Sequence, residues 1–288
     1  SGEIHLLENL RFHKQETNND TSFASKLAQH GSIYLNDAFG TAHREHASNA
    51  GITNYFTTKG MGLLVEKEME FLSENISDSK GPVTLIIGGA KIDTKINVIK
   101  HFFDIADNIL IGGAMANTFL AANKYDMGKS LVQIDEIDAA KKLMLMASKS
   151  KTNIILPLDF NGELNTFGSG KLHYATNDKV KKSMICEDIG ELSIKLFTDI
   201  IKESKTVFWN GTLGVAENKD FAIGTNKIID TIIDTDCNSI VGGGDTIAAI
   251  RNYKKGIVEE FSHASTGGGS CLELLSGNRL SAIEMLKK

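Results

Sequence analysis

The sequence predicts an α/β fold, a three-layer arrangement in which a parallel sheet is covered on both faces by helices. Three observations carry that expectation. Short, near-continuous apolar runs alternate with segments of helical periodicity, the pattern of strands buried on both faces. The loops leaving those runs are rich in glycine and polar residues, and open parallel sheets bind ligands at the carboxyl ends of their strands. Two glycine triplets, 242–244 and 267–269, each precede an apolar, helix-like segment.

The triplets organise the stretch from Ser239 to Ser270. A glycine turn at a helix start lets bare backbone N–H groups approach an anion, and the helix dipole favours negative charge there. Asp245 follows the first triplet directly, where its carboxylate suits a divalent metal bridging phosphates. Glycines also simply turn tight corners. Two triplets close in sequence, one with an acid attached, favour phosphate binding.

Composition bounds the rest. The 288 residues are enough for two domains, with 41% apolar and 23% charged residues and no apolar run long enough to span a bilayer. The net charge of −5 argues against a generally nucleic-acid-binding surface. Cys186, Cys237 and Cys271 lack metal-site spacing and are odd in number, which predicts a reducing compartment. The chain opens Ser-Gly with no initiator Met and no signal peptide, and enters an apolar stretch at once, as if in mid-fold.

In chain order, residues 4–7 read as a short strand followed by a polar loop through Arg11 and His13. A helix opens at Asp20 or Thr21, with Phe23, Ala24 and Leu27 inward, and a second strand covers 32–35. The loop 36–48 gathers His43, Arg44 and His46 among small residues. An arginine offers a forked grip on phosphate or carboxylate; a solvated loop with a capping Asp is the alternative. Met61, Leu64, Val65, Met69 and Leu72 recur at helical steps and predict one long amphipathic connector, with a boundary at 78–82. Strands at 83–87, 108–111, 153–156, 206–209 and 239–241 then alternate with helices at 92–103, 115–122, 135–149 (capped by Asp135), 191–202, 221–233 and 246–253.

Lys91 and Lys95 follow the strand 83–87. A helix beginning near Lys91 would put both ammonium groups on one face at its positive end, a cost that an anion relieves. Gly112 and Gly113 leave room for a flat ligand, and Trp209-Asn210-Gly211 leads to Glu217, which suits ribose hydroxyls or a cap. Two partial P-loops, 128–130 and 168–171, fail: Asn123 stands where the first needs glycine and Leu172 where the second needs Ser or Thr. No Gly-x-Gly-x-x-Gly follows a strand, which weakens a nicotinamide-dehydrogenase reading.

Six stretches together resemble the phosphoglycerate kinase family: Leu-Leu-Glu-Asn-Leu-Arg-Phe (6–12), Asn-Asp-Ala-Phe-Gly-Thr-Ala-His-Arg (36–44), Gly-Gly-Ala-Lys (88–91), Trp-Asn-Gly (209–211), Gly-Gly-Gly-Asp-Thr (242–246) and Ser-Thr-Gly-Gly-Gly (265–269). They stand in the family's order across nearly the whole chain. The resemblance implies a Rossmann-like nucleotide domain at 77–278, an interdomain helix at 59–76, a C-terminal segment at 279–288, and at 1–58 the remnant of a similar N-terminal domain that holds 3-phosphoglycerate. It implies reversible phosphoryl transfer between 1,3-bisphosphoglycerate and ADP in glycolysis, with Mg2+, in the cytoplasm, by a protein that is usually monomeric and meets neither nucleic acid nor membrane.

Residue by residue, the resemblance assigns Arg11, Arg44 and His43 to 3-phosphoglycerate, and Lys91 and Lys95 to the phosphates and the transferring phosphoryl. It assigns Gly113 to adenine, Asn210 to phosphates, Glu217 to ribose and Asp245 to magnesium. Gly242, Gly243, Gly244, Thr246, Gly267, Gly268 and Gly269 frame the transferring group, with Gly244, Gly267 and Gly268 nearest catalysis. Thr212 and Glu191 stand where the family usually has proline and Asn117 where it has phenylalanine, so loop rigidity and adenine-pocket shape differ while every charged catalytic group remains. The family's earlier Asp-Phe-Asn and His-x-Gly-Arg-Pro loops do not occur here. The chain alone is therefore expected to be inactive or nearly so, a nucleotide-binding fragment.

Overall fold

The computed structural model describes residues 3–164 and 172–287; the second partial P-loop, at 168–171, lies outside the described residues. Helices α1 (Lys14–Thr17) and α2 (Thr21–Ala28) open the chain, the latter capped by Asp20 Oδ1, which accepts the Phe23 N–H at 2.8 Å. Strands β1 (Tyr34–Asn36) and β2 (Lys59–Met61) pair in parallel. The strand expected at 4–7 is not formed: Ile4 and Leu6 are 98% and 97% exposed, and no described strand offers that segment a ladder. The second strand lies slightly later than expected, at Tyr34–Asn36.

The connector is not one continuous α-helix. Met61 belongs to β2, helix α3 (Leu63–Met69) follows, and a π-helical turn (Glu70–Glu74) leads into α4 (Asn75–Ser77). Asp37 Oδ1 caps α3 by accepting the N–H groups of Leu64 and Val65 at 2.7 and 3.1 Å. Val65 and Leu72 are buried as their periodicity requires, and so is Glu68 between them.

The main sheet is wholly parallel, with strands β3 (Val83–Ile87), β4 (Asn108–Ile111), β5 (Asn153–Ile155), β9 (Thr206–Asn210), β10 (Asn238–Gly242) and β11 (His263–Ala264) in the order β11-β10-β9-β3-β4-β5. Between β5 and β9 runs a three-stranded antiparallel sheet that the sequence did not reveal: β6 (Asp159–Leu164), β7 (Leu172–Thr176) and β8 (Met184–Ile189), ordered β7-β6-β8. Alternate residues of the main strands feed two cores. Leu85, Ile87, Ile109 and Phe208 pack on one face, and Ile86, Leu110, Val207 and Trp209 on the other.

Helices α5 (Ile96–Phe102), α6 (Gly113–Ala122), α7 (Ile137–Ala147), α8 (Glu191–Lys202), α9 (Ile223–Ile233), α10 (Gly244–Tyr253), α11 (Gly269–Leu275) and α12 (Ser281–Leu286) complete the layers. Helix α8 starts at Glu191 as expected, while α6 and α10 start two residues earlier, at Gly113 and Gly244, α7 and α9 two residues later, at Ile137 and Ile223, and α5 four residues later. Helix α5 begins at Ile96, because Ile92 is buried, its N–H is taken by Gln133 Oε1 at 2.6 Å, and a turn intervenes. Helix α7 begins at Ile137 after a 3-10 turn that absorbs Asp135, so Asp135 is not its cap. Helix α12 returns to the start of the chain, where the Ala282 N–H donates to Ala42 O at 3.0 Å. Among the described residues no helix is long and apolar enough to cross a membrane. From β3 the chain runs to β4 on one side, and β9 lies on the other. That reversal of strand order leaves a crevice beyond the strands' carboxyl ends.

Candidate phosphate-binding cleft

The crevice is a cavity of about 380 Å3 lined by glycines 88, 89, 211, 243, 244 and 268 together with Lys91, Lys95, Asn210, Asp245 and Thr246. Backbone bonds between its loops hold it in shape. Gly88 N donates to Asn210 O at 3.0 Å, Gly89 N to Thr212 O at 2.9 Å, and Gly113 N to Leu213 O at 2.9 Å. Gly113 sits outside the lining. At φ +62° a Cβ there would meet Gly89 N at 2.6 Å and Thr212 O at 2.8 Å, so glycine is required where these turns interlock.

Lys91 and Lys95 both face the cavity from the turn that precedes α5, not from one helical face. Lys91 is exposed, whereas burial holds the Lys95 ammonium down to about 8, opposed by Cys271 and then Asp245. Lys95 Nζ donates to Asn210 Oδ1. Asn210 Nδ2, on the other side of the same buried amide, has no partner. Thr246 Oγ1 accepts the Gly211 N–H at 2.7 Å, tying α10 to the loop after β9. Gly243, at φ +99°, is the N-cap of ten-residue α10, and Asp245 lies in its first turn. Gly242 closes β10 just behind the cavity, and Glu217 is exposed on the loop beyond Gly214, outside the lining.

The second triplet divides its duties. Gly268, at φ +45°, lines the cavity, and a Cβ there would meet nothing. Gly267 and Gly269 face away: a Cβ on Gly267 would enter the Phe39 ring, and one on Gly269 would meet His43 Nε2 at 2.7 Å. Glu68 holds this loop from beneath, accepting the Thr266 N–H at 2.7 Å and its hydroxyl at 2.8 Å, and lying 2.8 Å from His263 Nε2. Phe71 stacks on the His263 ring, with centroids 4.8 Å apart.

In the first part of the chain Arg11 lines a separate recess of about 270 Å3 with Glu16, Thr41, His46, Ser48 and Asn49. Glu16 is buried and accepts the Ser48 hydroxyl at 2.6 Å and its N–H at 3.0 Å. Arg44 is exposed and its Nε donates to His43 Nε2 at 3.3 Å. Glu16, Glu68, Phe39 and Ser270 were not singled out in the sequence, whereas His46 belongs to the loop 36–48 read there as anion-recognising. Glu68 had a usable signal, standing three residues after Val65 and four before Leu72 on the apolar stripe.

Comparison with known proteins agrees with this geometry. The family model described as phosphoglycerate kinase matches residues 1–278. A phosphoglycerate kinase of Akkermansia muciniphila is 41% identical over 99% of this chain and 71% of its own length, and one of Dictyoglomus turgidum is 43% identical over 99% and 72%. Among solved structures, the phosphoglycerate kinase of Coxiella burnetii superposes with a TM-score of 0.89 at 34% identity, covering 97% of this chain and 71% of that one. The enzyme from Pyrococcus horikoshii gives 0.87 at 30% identity, covering 100% and 73%. The parallel sheet with helices on both faces is the Rossmann-like arrangement these structures share. With its glycine-lined crevice, the chain belongs to the phosphoglycerate kinase family of phosphotransferases.

Proposed function

We propose that the cavity beyond β3, β9 and β10 binds ADP or ATP, and that the chain serves reversible phosphoryl transfer from 1,3-bisphosphoglycerate to ADP, giving 3-phosphoglycerate and ATP in glycolysis, in the cytoplasm. The observation that carries the reading is the Asn210 amide. Its oxygen is engaged by Lys95 and its buried NH2 lacks an acceptor, in a residue that lines a cavity also presenting Lys91 and the N-terminus of α10. A buried, partnerless donor is costly unless a ligand atom satisfies it, and phosphate oxygens do so.

Phosphoryl transfer asks the protein mainly for positioning and charge neutralisation. Lys91, Lys95, Asn210 and the N–H groups around Gly243, Gly244 and Thr246 would hold the nucleotide phosphates, with Gly267 and Gly268 in the adjoining loop. In this reading Gly113 shapes the turn beneath the base, Gly242 the turn beneath the phosphates, and Glu217 meets the ribose. Asp245 is a single carboxylate in the first turn of α10, and no cluster of three or more His, Cys, Asp or Glu side chains suited to a metal occurs among the described residues. Such a donor set fits Mg2+, which binds through one or two carboxylates plus substrate phosphates. Bound there, Mg2+ would neutralise phosphate charge. Arg11 and Arg44, with His43, would grip 3-phosphoglycerate from the segment 1–58, and residues 59–76 would join that part to the nucleotide domain 77–278, against which 279–288 packs.

Calorimetry with ADP, beside an ADP-dependent turnover assay, tests this reading. ADP binding that Lys95→Ala weakens at least tenfold, with little or no turnover by the chain alone, is the expected result. Binding of NAD in place of ADP would overturn the nucleotide reading, and full turnover by the chain alone would overturn the expectation that it is a nucleotide-binding fragment.

A further inference from the structure

Helix α9 begins without a cap of its own. Its N-cap is Ala222, whose side chain has no acceptor, although the first turn of a helix leaves N–H groups that need one. Asp188, near the end of β8, supplies it: Oδ2 accepts the Gly224 N–H at 2.8 Å, and Oδ1 accepts the Ile189 N–H at 2.9 Å. Glycine makes the space. A Cβ on Gly214 would enter the carboxylate, and one on Gly224 would meet Oδ1 at 2.6 Å. Asp188 is buried, which pushes its carboxyl up to about 7, while the N–H groups of Gly224, Ile189 and Ile223 pull it back. Desolvation thus opposes the charge, and the donors it organises are what favour it there.

What α9 holds is the loop that leaves β9. Thr225, in the first turn of α9 and fully buried, accepts the Leu213 N–H on Oγ1 at 3.1 Å. Leu213 O accepts the Gly113 N–H, and Thr212 O the Gly89 N–H, each at 2.9 Å. Strand β8 also holds the loop directly, since Glu187 O accepts the Val215 N–H at 2.9 Å. A continuous run of bonds therefore leads from Asp188 through the start of α9 to the interlocked turns around Gly113, and both ends of the segment bearing Glu217 rest on β8. The phosphate side has a tie of its own, from Gly211 N to Thr246 Oγ1 at the start of α10. Asp188 is not part of the cavity lining.

We propose that Asp188 is a positioning residue for the nucleoside half of ADP: by capping α9 it fixes Leu213 and the segment bearing Glu217, and so sets how tightly base and ribose are held. The inference rests on the reading of the cavity as a nucleotide site, with Gly113 beneath the base and Glu217 on the ribose, and goes beyond it. It divides the ligand in two. The phosphates meet Lys91, Lys95 and the start of α10, which Asp188 does not hold, whereas base and ribose meet the loop that it does.

The test compares ADP with inorganic pyrophosphate, which has the phosphates and lacks the nucleoside, in calorimetric titrations of the full chain at one Mg2+ concentration. Asp188→Asn sets an NH2 against one of the two N–H donors that the carboxylate now serves. It should weaken ADP about tenfold and pyrophosphate by less than about twofold. Thr225→Val removes the acceptor for Leu213 and should show the same split, which decides the matter should the Asp188 variant fail to fold. Equal weakening of both ligands would mean a general loosening of the domain and would overturn the proposal, as would unchanged ADP affinity in both variants. An unmodified chain that binds ADP no more tightly than pyrophosphate would sink the positioning role and leave the phosphate site standing. Binding of neither ligand by the unmodified chain would sink the nucleotide reading, and the role of Asp188 with it.

Discussion

The two glycine triplets have the same composition and precede helices of similar look, yet they are glycine for opposite reasons. At 242–244 the constraint is backbone and cavity at two of the three positions: Gly243 holds φ +99° at the start of α10, and a Cβ on Gly244 would project into open space, while one on Gly242 would meet Cys271 Sγ at 2.6 Å. At 267–269 the constraint is mostly a neighbour, with Phe39 and His43 seated where two β-carbons would be. The first triplet makes room for a ligand, and the second makes room for another part of the same chain. Similar glycine runs therefore call for different substitutions to test them.

The largest effect is expected under the second triplet. Glu68→Ala removes a buried carboxylate that accepts from Thr266 twice and contacts His263, which should cost about 3–5 kcal/mol in urea unfolding. Burial pushes the Glu68 carboxyl up, but the bonds from His263 and Thr266 outweigh it, and the net shift is downward. A folded-state value below the unfolded one, about 4.3, means that the stabilisation is present above that pH and is lost as pH falls through the lower folded value. The unmodified protein should therefore lose stability more steeply than Glu68→Ala below about pH 4.

Next comes Gly267→Ala, which drives a methyl into the Phe39 ring and should cost about 1–3 kcal/mol by overpacking. In a Phe39→Ala background the same change should cost much less, since the ring it strikes is gone. Equal costs in the two backgrounds would mean that the second triplet is glycine for its backbone after all. Gly244→Ala sharpens the contrast from the other side. With nothing within 4 Å of the new methyl, stability should move by less than about 0.5 kcal/mol, while affinity for ADP falls, because the methyl stands where phosphate approaches.

This contrast also marks what the sequence could tell. Five parallel strands, from 83–87 to 239–241, were readable because continuous apolar runs leave few alternatives for a strand buried on both faces. The cavity lining was readable as motifs: Lys91, Lys95, Asn210, Gly243, Gly244, Asp245, Thr246 and Gly268 come together at the strand ends. What was hidden depends on partners distant in sequence. The sheet β7-β6-β8 escaped because β6 reads Asp-Phe-Asn-Gly-Glu-Leu, with Asp159 spent on the N–H groups of Leu192 and Ser193 at the head of α8 rather than on an alternating pattern. Residues 4–7 looked like a strand because apolar character was visible and the absence of a ladder was not. The work of Gly267 and Gly269 is set by Phe39 and His43, more than 220 residues away.

The smallest effect is also the most selective for the cavity side of the comparison. Lys95 titrates near 8 because burial disfavours its ammonium, with Cys271 and Asp245 only partly restoring it. At pH 8 about half of the free protein then carries a neutral Lys95. A nucleotide phosphate arriving beside it favours the charged form, so ADP binding should take up protons at that pH, by at most about half a proton per site. The phosphates of ADP are already ionised at pH 8, so the proton is the lysine's. Calorimetry in buffers of different ionisation enthalpy reads the uptake directly, and Lys95→Met should abolish it while Gly267→Ala leaves it intact. Uptake that persists in Lys95→Met would move the titrating group elsewhere. No uptake in the unmodified chain would mean that the phosphates do not reach Lys95, and the first triplet would lose its claim to be shaped by a ligand.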